Sequence, residues 1–129
     1  MQPLVTSLDH LVLTVADLEA SCAFYQRVLG FGVEKFGAGR VALTFGSQKI
    51  NLHPLENDID IRARTPTAGS GDLCFLTETP INEVKAHVEQ CNVAVEMGPI
   101  QRTGATGPIL SIYLRDPDGN LIEVANRVG

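Results

Sequence analysis

The chain has no apolar run approaching the ~20 residues that a helix needs to cross a bilayer. Its first residues, Met-Gln-Pro-Leu-Val-Thr, lack a basic segment followed by a long apolar one, so no secretory leader is expected. Cysteine is scarce. Cys22, Cys74 and Cys91 form no CxxC pair, and three cannot all pair internally. That usage suits a reducing, cytoplasmic setting. Positive charge is also in deficit: ten Lys and Arg against fifteen Asp and Glu give a net charge of −5, which argues against a nucleic-acid partner. No P-loop, no GxGxxG after a strand and no GxSxG elbow is present, so the main phosphate, dinucleotide and serine-nucleophile signatures are missing.

What remains is 129 residues, 44% hydrophobic and 19% charged, the composition of one globular domain spanning 1–129. The stretch 111–126 organises it. Two alternating segments flank Asp116-Pro117-Asp118-Gly119, where Pro pre-sets φ and Gly accepts a positive φ, so a β-hairpin is expected. Glu123 lies between Ile122 and Val124 in the second segment, on the face opposite them. A carboxylate projecting from a sheet centre calls for a partner, a metal or water.

In chain order, residues 8–15 alternate as a strand, with His10, Val12 and Thr14 on one face. Asp17 caps a helix that runs to about Leu29 and ends at Gly30. Its apolar stripe is Leu18, Cys22, Tyr25, Val28 and Leu29. Strands are expected at about 31–36, 40–45 and 48–53, the last placing Asn51 and His53 on one face. Residues 55–70 read as a long polar loop of the kind that serves as a lid, binding loop or interface element. A second series follows: a strand at 72–77 and a helix beginning at Thr79 with Pro80 in its first turn. Its apolar stripe is Ile81, Val84, Val88 and Cys91. Strands are expected at 93–97 and 109–114, with a loop over 102–107, and the closing strand at about 120–125. The order β-α-β-β-β thus occurs twice, as module 1 at about 8–54 and module 2 at about 71–127. The class is α+β: two tandem βαβββ modules forming a curved mixed sheet around a cleft.

The repeat pairs His10 with Asp72 and Asn51 with Glu123, and the four polar positions are expected to converge on that cleft. Imidazole and carboxylate together suit a divalent Zn, Ni, Co, Mn or Fe ion. His10 and Glu123 are the core candidate ligands, with His53 and Asp72 as a second imidazole and a second carboxylate. Asp72 could instead orient His10 without touching metal. Cys74 shares the Asp72 face and either lines the cleft or packs inertly. Tyr113 could present a phenol to substrate, and Asn51 stands at the matching cleft position. Arg102, with Gly104 and Gly107, could bind an anion from a loop. His87 reads as a solvated helix residue.

The paired element order resembles the vicinal oxygen chelate superfamily, as do the motifs D-H-L-V-L-T-V from Asp9, F-Y-Q-R-V-L-G-F from Phe24 and D-P-D-G-N-L-I-E-V from Asp116. That group includes glyoxalase I, fosfomycin-resistance thiol transferases, extradiol dioxygenases and bleomycin-binding proteins. Q-K-I-N-L-H at Gln48, G-D-L-C-F at Gly71 and R-T-G-A-T-G at Arg102 resemble its glyoxalase-domain-containing, virulence-associated bacterial branch. The resemblance implies metal ligands at His10, Asp72 and Glu123. Asp72 stands where histidine is usual, Asn51 where bacterial glyoxalase I has glutamate, Thr14 where it has arginine, and Val12 where the thiol transferases have threonine. The expected function is a metal-dependent glyoxalase-like lyase or isomerase acting on a small molecule with adjacent oxygens, with a carboxylate, Glu123 or Asp72, moving the proton. The alternatives are a metal-free, drug-sequestering binding protein whose acidic cleft favours a cation, and a thiol transferase or ring-cleaving dioxygenase. A homodimer in the cytoplasm, with a small-molecule ligand and no membrane or nucleic-acid partner, is expected under either main reading.

Overall fold

The computed structural model describes residues 2–129. The chain divides into two compact units, one ending at Thr67 and the other spanning Ala68–Gly129. Each unit is a βαβββ module with its own four-stranded mixed sheet.

The first unit contains β1 (His10–Val15), α1 (Leu18–Leu29), β2 (Gly32–Phe36), β3 (Arg40–Phe45) and β4 (Gln48–Pro54), in the sheet order β1-β4-β3-β2. The β1–β4 pair is parallel, as a crossover through α1 requires, and the other pairs are antiparallel. The helix is delimited as its sequence implies: the Asp17 carboxylate accepts from Ala20 N at 3.1 Å, and Gly30 closes the other end at φ 71°. The apolar stripe is rotated from the expected one. Ser21, Phe24, Tyr25 and Val28 are buried, while Leu18, Cys22 and Leu29 are only half-buried. The reason is the ring stack that α1 joins. Phe24 meets Tyr25 edge-on at 5.2 Å, Tyr25 stacks on Phe31 at 5.6 Å, and Phe31 stacks on Phe45 at 4.5 Å. Aromatic area outweighs the smaller side chains in choosing the buried face.

The second unit contains β5 (Asp72–Leu76), α2 (Ile81–Gln90), β6 (Met97–Gly104), β7 (Gly107–Arg115) and β8 (Leu121–Arg127), in the order β5-β8-β7-β6. Three local expectations are corrected. Residues 93–96 are not a strand; β6 begins at Met97. Residues 102–104 belong to β6, and Gly104 pairs with Gly107 across a two-residue turn, so Arg102 sits on a strand and not in a loop. The Gly- and Thr-rich composition suggested a loop where it in fact closes a tight hairpin. Pro80 is the N-cap, not the first helical residue, and has no capping side chain. Asn126 on β8 takes over that role: its Oδ1 accepts from Ile81 N at 2.8 Å, and its Nδ2 donates to the carbonyls of Thr77 and Thr79.

The 116–119 turn forms as read, and it is more than a turn. Asp116 is 5% exposed, and its carboxylate accepts from Asp118 N, Asn120 N and Asn120 Nδ2 at 2.7–3.0 Å. Asn120 Oδ1 in turn accepts from Gly71 N at 2.6 Å, tying the start of β5 to the start of β8. These bonds fix the register of β8, and so the face on which Glu123 lies. Between Met97 and Ile100 the register of β6 shifts; Gly98, at φ 109°, passes so close to the Ser111 carbonyl that a Cβ there would collide with it. Among the described residues no helix is long and apolar enough to cross a membrane.

Candidate functional site

The strand registers establish the internal equivalence. Asn51 faces Val12 on β1 and Ala42 on β3; Glu123 faces Cys74 on β5 and Tyr113 on β7. His10 and Asp72 lie one step back from Val12 and Cys74, on the same faces.

In the second unit, Glu123, Cys74, Tyr113 and Arg102 line one pocket of about 360 Å³. The buried Ser111 hydroxyl donates to Glu123 Oε2 at 2.6 Å from the diagonal position on β7. Cys74 also hydrogen-bonds to this carboxylate. Burial first, then the Glu123 charge, pushes its thiol up to about 11, so it is a neutral donor at ordinary pH. Two uncharged donors therefore hold Glu123 without neutralising it. Arg102 Nε donates to Tyr113 Oη at 3.0 Å, its guanidinium carbon lies 5.6 Å from the ring centre, and Nη2 reaches Met97 Sδ at 3.3 Å. With its oxygen accepting from Arg102, the Tyr113 phenol has its own proton free to donate into the pocket. Asp72 is exposed, pairs with Leu121 in register, and is not part of the pocket wall.

In the first unit, His10, Asn51 and His53 share a sheet face, in different environments. His10 Nδ1 meets Asp9 Oδ1 at 2.8 Å, which leaves Nε2 available. A carboxylate on one imidazole nitrogen is the usual way a metal-binding histidine is oriented. His53 is buried, and Arg40 Nη2 lies 3.4 Å from its Nε2. A guanidinium only donates, so Nε2 is the unprotonated nitrogen and a metal there would have to displace Arg40. Burial, followed by the charges of Arg40 and Arg62, holds His53 below the usual histidine range. Asn51 is 5% exposed, and its Oδ1 is buried with no hydrogen-bond partner.

Among the described residues, no three His, Cys, Asp or Glu side chains gather as a metal site. Taken unit by unit, the donor types are those a divalent ion takes: in the first, an imidazole nitrogen on His10 beside Asp9; in the second, the carboxylates of Glu123 and the exposed Asp72. Sequence reading named Glu123 but not its partner Ser111, and His10 and His53 but not Asp9 and Arg40. The period-2 pattern places a residue on a face; it does not reveal which diagonal neighbour bonds to it.

Residues 7–124 match the model described as the Glyoxalase/Bleomycin resistance protein/Dioxygenase superfamily. Virulence protein STM3117 of Salmonella typhimurium is 52% identical over 128 residues, covering 99% of this chain and 89% of that protein. Glyoxalase domain-containing protein RDO1 of Mycosarcoma maydis is 51% identical, over 95% of this chain and 69% of its own length. Among solved structures, an integron cassette protein from V. cholerae superposes with a TM-score of 0.96 at 51% identity, covering 99% of this chain and all of that one. More distant are an ethylmalonyl-CoA/methylmalonyl-CoA epimerase of Cereibacter sphaeroides and a lactoylglutathione lyase of Agrobacterium tumefaciens. The epimerase is 27% identical over 94% of this chain and 98% of its own. The lyase has a TM-score of 0.73 at 26% identity and covers 96% of each chain.

Proposed function

The chain belongs to the Glyoxalase/Bleomycin resistance protein/Dioxygenase superfamily, and within it we propose a metal-dependent lyase or isomerase of the glyoxalase type, acting on a small molecule with adjacent oxygens. The observation that carries this reading is Glu123: a carboxylate in a pocket wall, held by the Ser111 hydroxyl and the Cys74 thiol and, among the described residues, paired with no cation. Such a group is positioned to bind a cation or move a proton. The distant epimerase and lyase support the same class of proton-moving chemistry.

Within the second unit Glu123 would hold the ion, with Asp72 as a further carboxylate donor, and His10 is the candidate imidazole of the first unit. A bound Zn, Ni, Co, Mn or Fe ion supplies Lewis-acid polarisation of the two adjacent substrate oxygens. Asp9 engages Nδ1 of the His10 imidazole and leaves Nε2 as the nitrogen available to a ligand. Glu123 would act as the base that takes a proton from the carbon beside a substrate carbonyl and returns it at the neighbouring carbon. Tyr113, its oxygen engaged by Arg102, donates its phenolic proton to a substrate oxygen. Asn51 holds the position in the first unit equivalent to that of Glu123 in the second.

The active form is a homodimer. Leu4, Val5 and Leu8 are 75–97% exposed as they lead into β1, and Leu11 and Val12 on that edge strand are also exposed. An apolar edge of this kind is ordinarily covered, and a second copy of the chain is the occupant proposed.

Elemental analysis of untagged protein purified without chelator tests the reading. Near-stoichiometric transition metal, lost in His10→Ala and in Glu123→Ala, is expected. No metal in the parent, and none gained on adding each of the five ions, would sink it.

A further inference from the structure

We propose that the ligand of this pocket carries an anionic group, a carboxylate or a phosphate, recognised by Arg127 together with Arg102. The inference rests on the pocket of the second unit and deepens the functional reading above by naming the ligand class.

The second unit is acidic: residues 68–129 hold eight Asp and Glu and four Lys and Arg. Yet its pocket gathers two of those four cations and one of the eight carboxylates, Glu123. Arg127, Ile109 and Arg102 form a single row across β8, β7 and β6. Side chains in one row share a face, so both arginines flank Ile109 on the face that bears Glu123. Neither is neutralised. Arg102 bonds to the Tyr113 phenol and the Met97 thioether, and the Arg127 guanidinium has no hydrogen bond or ion pair among the described residues. Arg115, by contrast, is paired with Glu96 at 3.1 Å.

The arrangement separates charge along the pocket. Glu123 stands at one end, beside Cys74 and Tyr113, and the Arg102 side chain reaches from its own row to the Tyr113 phenol and the Met97 thioether. Arg127 is four residues further along β8, roughly 13 Å of strand. Thr103 and Thr106 also line the pocket. Planar guanidinium donors select an oxyanion with two or three acceptor oxygens. The ligand therefore presents its reacting oxygens to the Glu123 end and its anion toward Arg127, with the Arg102 side chain reaching between the two rows. This polarity is the reverse of what a cationic drug would need.

Calorimetric titration of chelator-treated protein with L-malate and, separately, with 2-phosphoglycolate tests the inference, with neutral malamide as control. One or both acids should bind and malamide should not. Binding should weaken about tenfold in Arg127→Gln and in Arg102→Gln, the loss expected for a charge-assisted hydrogen bond, and should weaken with added salt. The acid that binds more tightly identifies the anion. Arg127 is exposed, so its variant should melt with the parent and any loss of binding is not a loss of fold. Failure of both acids to bind, equal binding of malamide, or binding indifferent to both substitutions overturns the inference. Glu123→Ala separates it from the metal reading: anion binding to the metal-free variant should be retained or tightened. A protein that binds malate but never metal refutes the metal reading alone; one that binds metal but neither acid refutes this inference alone.

Discussion

Ser111 Oγ donates to Glu123 Oε2 at 2.6 Å across the diagonal of the β7–β8 ladder, and Ser111 is fully buried. That bond commits Oε2 to the protein and orients the carboxylate. Ser111→Ala should cost about 2 kcal/mol of stability, the usual worth of a hydrogen bond to a charged group. Under the proposed function it should also weaken metal binding by roughly 10–100-fold, as the loss of an orienting partner does. Urea unfolding and metal titration read the two effects separately. A variant that keeps parental metal affinity would show that Ser111 does not position Glu123.

The Asp116 turn makes a prediction of a different kind, because it touches no ligand. Its carboxylate satisfies three donors, and Asn120 passes the connection on to Gly71. Asp116→Ala leaves buried N–H groups unpaired, at a cost of about 1–3 kcal/mol each where water cannot replace the carboxylate. The variant should lose several kcal/mol in denaturant titration. A loss under 1 kcal/mol would mean that the turn holds its shape without this residue.

These two sites mark the boundary of what the sequence makes legible. The 116–119 turn, the Asp17 and Gly30 ends of α1, the repeated βαβββ order, and the pairing of Asn51 with Glu123 are all local or periodic signals. Turn chemistry, capping and alternation act over a few residues, so a one-dimensional reading captures them. The 93–96 segment failed because its Val-Ala-Val alternation resembles a strand, while pairing begins only at Met97, beside the shifted register at Gly98. Gly104 and Gly107 carry the composition of a loop around Arg102, whereas their cross-strand pairing is set by the hairpin as a whole. The partners of the candidate site residues, Ser111 and Arg40, lie 12 and 13 positions from Glu123 and His53 and carry no motif of their own.

His53 gives a pH prediction with a definite sign. Its folded-state pKa lies below the ordinary 6.5, because of burial and then the nearby Arg40 and Arg62 charges. Below 6.5 the unfolded chain binds a proton that the folded chain still refuses, so protonation favours unfolding. The stability contributed by neutral His53 is complete above 6.5 and falls as pH drops through the lower folded value. His53→Gln should flatten the stability profile between pH 7 and pH 5 relative to the parent. Parallel profiles for parent and variant would show that His53 titrates normally.

Cys74 should be the slow thiol. Its neighbourhood, burial foremost and the Glu123 charge second, pushes it up to about 11, so only a minute thiolate fraction exists at pH 8. Alkylation by iodoacetamide, followed by peptide mass spectrometry, should therefore modify Cys74 well after Cys91, even though Cys74 is exposed. Glu123→Gln removes the charge contribution but leaves the burial, so Cys74 should react faster in that variant, yet still more slowly than an unburied thiol. If Cys74 reacts first in the parent, its proton is not held at Glu123, and the carboxylate has lost one of the two neutral donors on which its assigned role depends.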